Sequence, residues 1–409
     1  VHSMSPALVV LVLALLLGIQ PVTTDLYLPT LPALTQALGA RVSQAQLTLT
    51  ALLLAFGFAQ LVFGALADRF GRRPVLLAGL GAYVLAALGT ALAPSIEVLI
   101  AARTVQGAAM GAAVMVARAM VRDLYEPAEG ARVMSRALTG LGIIACLCAP
   151  LGGLVSDLWG WRAALLSTAV FGGLAFALIA LRFRESLARP DPRALEPGRL
   201  VAAWGGMLRH PVFTSFTALT AAAYALLFTF LASSSFVFIN VLGLSKPAYG
   251  LVMLWNSLSY IAGTLLCRRW LPRHGVPGTV CRASLLSLVG GVCMGALALA
   301  GVQAVWAIVL PLTLVMVAHG VHQPCGQTGA IGPFPQAAGA ASALNGFVQM
   351  VVAFGVGAWL GVALEEHSTR PLALGIAFWG VMLALLAWTL VRRHGGAQPV
   401  ANKAARSTA

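Results

Sequence analysis

From residue 6 onward the chain is a succession of long apolar runs separated by short polar connections, and none shows the polar–apolar alternation of a strand. Such runs leave little choice of fold. A bilayer core takes ~20 apolar residues per helix. Within it every backbone N–H and C=O must be satisfied internally, so only helices or closed barrels cross. The missing alternation and the length of the runs exclude a barrel. Composition agrees, with 59% of the 409 residues hydrophobic and 9% charged, where a soluble domain carries roughly a quarter charged. The expected fold is an all-α membrane protein whose first partner is the lipid bilayer.

The apolar pattern predicts twelve transmembrane helices near 6–36, 43–66, 74–93, 96–120, 132–156, 162–183, 211–240, 247–270, 278–300, 303–324, 338–363 and 370–392. Pro21 and Pro29 leave room for a kink in the long first span. The start, Val1-His2-Ser3-Met4, has no basic region and no small-residue cleavage site follows the first run, so that run is expected to be retained rather than removed as a signal. With the N-terminus inside, twenty of the 26 Lys and Arg fall in inner connections and the tail, four fall outside (Arg41, Arg162, Lys246, Arg370), and Arg103 and Arg118 lie within spans. The positive-inside rule therefore puts both termini in the cytoplasm of a multi-pass inner-membrane protein. The same distribution accounts for the net charge of +14 without nucleic acid, because no basic stripe with interleaved aromatics lies on a soluble domain.

Residues 184–210 form the one long polar connection, rich in Pro and charge, and read as a linker. It separates an N-terminal six-helix half (1–183) from a C-terminal one (211–393), with a cytoplasmic tail at 394–409. A faint repeat supports two pseudo-symmetric halves: Arg69-Phe70-Gly71-Arg72-Arg73-Pro74 follows the second span, and Arg273-His274-Gly275-Val276-Pro277 follows the eighth, 204 residues later. Parallel six-helix repeats around a central site are a transporter architecture.

Asp25 is the one acidic residue placed inside a span rather than in a loop or at a span end. An intramembrane carboxylate is costly and marks a functional site by default; the alternative is a side chain snorkelling to the outer interface. Counting 1.5 Å per residue puts Asp25 ~27 Å from the inner end of its helix and Arg103 ~12 Å from the outer end of the fourth. The two are thus expected near one another, the guanidinium favouring the ionised carboxyl and burial the protonated one. Gly107 and Gly111 follow Arg103 and Gln106 at the spacing of a close-packing face. Arg118, near the inner end, reads equally as an interface anchor.

Polar groups in spans tend to face the bundle interior, which makes Asn256, Tyr260, Asn345 and Gln349 candidate cavity residues. On the seventh span Tyr224, Phe228, Phe230, Phe236 and Phe238 read either as an aromatic pocket lining or as packing. His319, His322 and Cys325, spaced three apart beside Gln323, read as metal ligands or as polar lining; without an acidic partner no metal is expected. Six cysteines (Cys146, Cys148, Cys267, Cys281, Cys293, Cys325) show no CxxC pair and read as small hydrophobes. No nucleophile with an adjacent base stands out, so an enzyme is not expected.

Gly64-Ala65-Leu66-Ala67-Asp68-Arg69-Phe70-Gly71-Arg72-Arg73-Pro74 resembles the signature loop between the second and third helices of the major facilitator superfamily. Gly64 and Gly71 would allow its tight turn. The resemblance implies that Asp68 latches the inner gate on a helix end in the other half, where the helix dipole favours an acidic group by up to about 1 kcal/mol. Thr24-Asp25-Leu26-Tyr27-Leu28-Pro29-Thr30-Leu31-Pro32, Val116 through Tyr125, and Ala338 through Met350 resemble the first, fourth and eleventh helices of the Bcr/CflA-type drug:proton antiporters. This resemblance implies a monomeric, proton-coupled exporter of small amphiphilic compounds working by alternating access. It implies Asp25 in proton and substrate handling and Arg103 in coupling; Gln106 and Arg118 join them as coupling candidates, Tyr27 is a candidate cavity residue, and no cofactor beyond the coupling proton is expected. On the fifth helix Ala149-Pro150-Leu151-Gly152-Gly153 has one residue fewer between Pro and Gly than the antiporter motif, while still suiting a kinked, closely packed helix. The alternative on the same fold is a symporter or uniporter for a metabolite.

Overall fold

The computed structural model describes residues 5–125, 127–187, 189–364 and 368–395. The start at Val1–Met4 and the tail from residue 396 onward lie outside the described residues. The helices are α1 (Pro6–Thr24), α2 (Leu31–Ala37), α3 (Val42–Phe70), α4 (Arg72–Ala91), α5 (Ile96–Leu124), α6 (Pro127–Trp159), α7 (Trp161–Arg182), α8 (Pro197–Arg209), α9 (Pro211–Ser235), α10 (Lys246–Leu299), α11 (Val305–Ile331), α12 (Ala338–Ala363) and α13 (Arg370–Leu386). No strand occurs among the described residues.

Among the described residues eleven helical stretches are long and apolar enough to cross a bilayer, and one of them is long enough to cross twice. The 54 residues of α10 would reach about 80 Å if straight, far beyond a bilayer core. Gly275, at φ 63°, breaks the rod into the eighth and ninth crossings. Gly71, at φ 99°, does the same between α3 and α4. The repeated glycine therefore marks one left-handed, one-residue turn in each half, a conformation open to glycine without strain. Two boundaries differ from the sequence expectation. The first span is not one helix: α1 stops at Thr24, a 3-10 turn covers Leu28–Thr30, and α2 resumes at Leu31. Pro29 and Pro32 have no N–H to give to the turn before them. The tenth span runs to Ile331 rather than 324, because Pro324 is accommodated within α11.

Close approach of backbones holds each half together. A Cβ on Gly107 or Gly111 of α5 would strike Leu52 or Ala59 of α3, and one on Gly263 or Gly320 would strike the facing pass of α10 or α11. Small residues at crossings are the usual means of association where lipid removes the hydrophobic drive between helices. Large apolar side chains such as Leu85, Leu181 and Val362 are turned outward, as a lipid-facing surface requires. The central α9 is the most enclosed crossing and ends in a π-helical turn at Phe236–Val241. Within the linker, residues 197–209 fold as α8, with Pro197 at the first turn where its missing N–H costs nothing.

Candidate functional site

The break in the first crossing builds the site. Where α1 ends, the Thr23 carbonyl loses its helical donor, and Arg103 of α5 takes it: Nη1 and Nη2 each donate to Thr23 O at 3.0 Å. Nη1 also donates to Gln106 Oε1 at 3.0 Å, and the guanidinium lies 4.2 Å from the centroid of the Tyr27 ring. Tyr27 shares a 2.6 Å hydrogen bond with Thr48 of α3, Thr23 shares one of 2.6 Å with Tyr83 of α4, and Gln106 reaches Thr168 of α7 at 3.4 Å. One fully buried network thus pins both sides of the break to four other helices.

Asp25 sits between those pins, half-buried, as the C-cap of α1. Its Oδ1 accepts 2.8 Å from the Thr24 hydroxyl, and Tyr224, Tyr249 and Cys148 lie within electrostatic reach. Among the described residues no cation forms an ion pair with it. Arg103 comes near Asp25, as the depth count expects, but does not pair with it: the guanidinium is occupied by the Thr23 carbonyl and the Tyr27 ring. The cavity reading of Tyr27 is corrected, since it is buried in the N-terminal half and lines neither the central void nor the vestibule described below.

A void of about 10 Å³ lies between the halves, lined by Thr24, Leu28, Leu49, Leu53, Tyr224, Phe228 and Leu231. It has room for about one water. Outside it opens a vestibule of about 890 Å³ lined by Pro32, Thr35, Gln36, Gly39, Ala40, Arg41, Val42, Phe236, Asn240 and Leu364. The Thr24–Gln36 stretch therefore runs from void to vestibule, with Asp25 at the void end, between Thr24 and Leu28. Tyr224 and Phe228 fall where the aromatic reading put them, whereas Phe230, Phe238 and Tyr249 stack on one another.

Asn256, Tyr260, Asn345 and Gln349 do not line the void. In the C-terminal half Gln323 donates to Gln349 at 3.3 Å, Gln349 to the Asn345 carbonyl at 3.4 Å, and Thr220 to Asn345 Oδ1 at 2.8 Å. His319 stacks 5.7 Å from Tyr260, and the Cys325 thiol faces that of Cys267 at 3.6 Å. His322 is fully buried with neither ring nitrogen hydrogen-bonded. Among the described residues no three His, Cys, Asp or Glu side chains converge as a metal site.

Both sides of the void are closed by contacts between halves. On the side of the vestibule, Gln46 donates to the Ala232 carbonyl and Lys246 Nζ to the Ser156 carbonyl at 3.2 Å. A Cβ on Gly152 would strike the Leu26 carbonyl beside Asp25, and Gly153 and Pro150 lie against Lys246 and Gly250 of α10. The Pro-x-Gly-Gly face thus serves both α1 and the opposite half. On the opposite side, Arg118 donates to Ser342 of α12 at 2.8 Å, and Phe58 meets Phe347 with centroids 4.9 Å apart.

The signature loop works within one half. Asp68 pairs with Arg72 at 2.7 Å and with Arg122 at 3.7 Å. Arg72, fully buried, also meets Asp123 at 2.7 Å. Arg73 donates to the carbonyls of Phe183 and Ala180, closing the end of α7, while Arg69 lies exposed over Phe70. The expected latch of Asp68 on the other half is not made in this conformation; Arg122 lies between it and Gly339 at the start of α12. Gly64 is corrected too, being mid-helix with ordinary spacing to Met115; only Gly71 makes the turn. Glu185, which the sequence left unmarked, accepts from the N–H groups of Arg72 and Arg73 at 2.9 and 3.0 Å and caps α4. Burial raises its pKa, but the backbone donors outweigh this and hold the carboxyl below its ordinary 4.5. Asp123 was visible only as the neighbour of Arg122 in the fourth-helix motif.

Twelve crossings in two repeated halves, joined by a strap and closed around a small central void, define a secondary-transport fold. The chain belongs to the Major Facilitator Superfamily, whose family model matches residues 13–358. It is 31% identical to multidrug resistance protein D of Escherichia coli over 95% of this chain and 98% of that one. It is 29% identical to a chloramphenicol resistance protein of Pseudomonas aeruginosa, over 86% and 83%. Among solved structures, the xylose transporter XylE of E. coli in a partially occluded inward-open conformation superposes with a TM-score of 0.75 at 15% identity, over 95% and 98% of the two chains. That likeness concerns the fold.

Proposed function

We propose that this protein exports small amphiphilic organic compounds, drugs among them, in exchange for protons by alternating access. One observation carries the reading: the broken first crossing holds Asp25, without an ion-pair partner among the described residues, beside the central void, between the void-lining residues Thr24 and Leu28. A carboxylate so placed costs about 3 kcal/mol on insertion scales, and a proton or a bound substrate relieves that cost. Rocking of the halves would present Asp25 alternately to each side, the proton leaving inward as substrate leaves outward. The drug-resistance names of its relatives support an amphiphilic cargo, and the aromatic and aliphatic lining of the void suits one. We place the protein in the inner membrane as a monomer with both termini cytoplasmic, and the proton is its only cofactor.

The test is substrate movement in everted vesicles under an imposed pH gradient. Asp25→Asn is expected to abolish gradient-driven export while leaving membrane insertion intact; full export by this variant would refute the mechanism. Accumulation that follows the gradient in the opposite sense would favour a symporter, and indifference to the gradient a uniporter.

A further inference from the structure

The face of α8 that remains open describes a second surface. At 100° per residue, Val201 and Leu208 stand within ~20° of each other, with Trp204 ~60° and Met207 ~120° to one side of Val201. Arg209 and Arg199 lie on the other arc, at ~80° and ~160°. Half of the apolar arc is satisfied by the bundle: Met207 is buried and Trp204 half-buried, where α8 packs on α9 and α12. The other half is not. Val201 is 62% and Leu208 50% exposed.

The position of α8 says what covers that half. A single residue, His210, separates it from Pro211, where the seventh crossing begins. His210 stacks on Phe334 with centroids 5.3 Å apart, so the C-terminal end of α8 cannot leave the mouth of the span. Upstream, the Asp191 N–H donates to the Asp68 carbonyl at 2.9 Å, which ties the strap to the other half. A 13-residue helix held this way lies at the level where a crossing enters the bilayer. A helix with Trp and aliphatic residues on one arc and arginines on the other suits an interface. Arg209 has no ion pair among the described residues, and the exposed Arg199 has only a 3.9 Å contact with Asp191.

We propose that α8 docks on the membrane surface, with Val201, Trp204 and Leu208 entering the headgroup boundary of the leaflet on the arginine-rich side and Arg199 and Arg209 recognising anionic lipid headgroups. The orientation proposed above supplies only the name of that leaflet, the cytoplasmic one; the docking stands whether or not protons are coupled.

The test uses the full-length protein in vesicles of phosphatidylcholine, with and without phosphatidylglycerol, containing lipids brominated near the headgroup. Subtracting the quenching of Trp204→Phe from that of the wild type isolates Trp204. The expected result is quenching of Trp204, about twofold stronger with phosphatidylglycerol, with that increment lost in the Arg199→Gln/Arg209→Gln double variant. An unquenched Trp204 in both lipids overturns the docking and leaves a soluble partner for this face. Equal quenching in both lipids, or an increment unchanged in the double variant, overturns the recognition of anionic headgroups.

Discussion

The two halves share a repeat and a glycine turn, yet their interiors hold opposite chemistry. Around the first and fourth crossings the N-terminal half carries Asp25, Arg103 and Arg118, and both arginines have partners on other helices, although Arg103 Nε is left without one. The C-terminal half carries only neutral groups at corresponding depth: an amide ladder, two imidazoles and two thiols. Several of its buried atoms lack partners, among them Asn256 Oδ1, Gln323 Oε1 and both nitrogens of His322. A buried charge must be held by a network or it destabilises the fold, whereas a neutral orphan costs about 1–3 kcal/mol and can be tolerated. The N-terminal half is therefore the charge-bearing partner in the membrane interior, and the C-terminal half faces it with neutral groups.

The largest effect is expected at Arg103. Arg103→Met orphans the Thr23 carbonyl and Gln106 and frees the broken segment beside Asp25, each orphan costing about 1–3 kcal/mol. Export should fall to background and the unfolding temperature drop; full activity would show that the N-terminal network is dispensable. Next is Asp123→Asn, which takes a charged partner from buried Arg72 at about 1.5–3 kcal/mol, measured by thermal unfolding in detergent, with Arg122→Gln, at an exposed position, as the near-silent control.

Glu185→Gln should cost about 0.5–2 kcal/mol, the value of a helix cap. Its pH dependence has a definite sign. A carboxyl held below 4.5 when folded stabilises fully above that value and loses its contribution as pH falls through the folded pKa. The wild type should therefore lose its advantage over Glu185→Gln only in acid below about pH 4.5, and an advantage that grows in acid would contradict the capping role. The smallest effect is expected at His322. His322→Leu removes two orphaned nitrogens and should leave stability equal or slightly higher, with gradient-driven export unchanged. Export lost from a folded His322→Leu protein would move part of the coupling into the C-terminal half.

Much of this was legible in the chain. Hydropathy placed most crossings to within a few residues, and the repeated glycine identified the corresponding turn in each half. The signature loop and the first-, fourth- and eleventh-helix motifs pointed to the family, and Asp25 stood out because it is the one carboxylate inside a span. Partners were another matter. Depth counting brought Arg103 near Asp25 but could not show that a proline-broken helix would offer the guanidinium a carbonyl instead. Tyr27, in the same motif as Asp25, turns away from the cavity. Glu185 caps a helix that begins 113 residues earlier, and nothing local in Arg184-Glu185-Ser186 signals it.

The bilayer imposes a one-dimensional rule, apolar length against thickness, and a sequence answers such a rule by itself. Span number, the turn glycines and the isolation of Asp25 all follow from it. Which polar group satisfies which is a three-dimensional matter, because the partners lie on different helices: Arg103 and Thr23 are 80 residues apart, Arg118 and Ser342 are 224. Only packing, through glycines that let backbones touch, decided those pairs, and with them which half holds the charge.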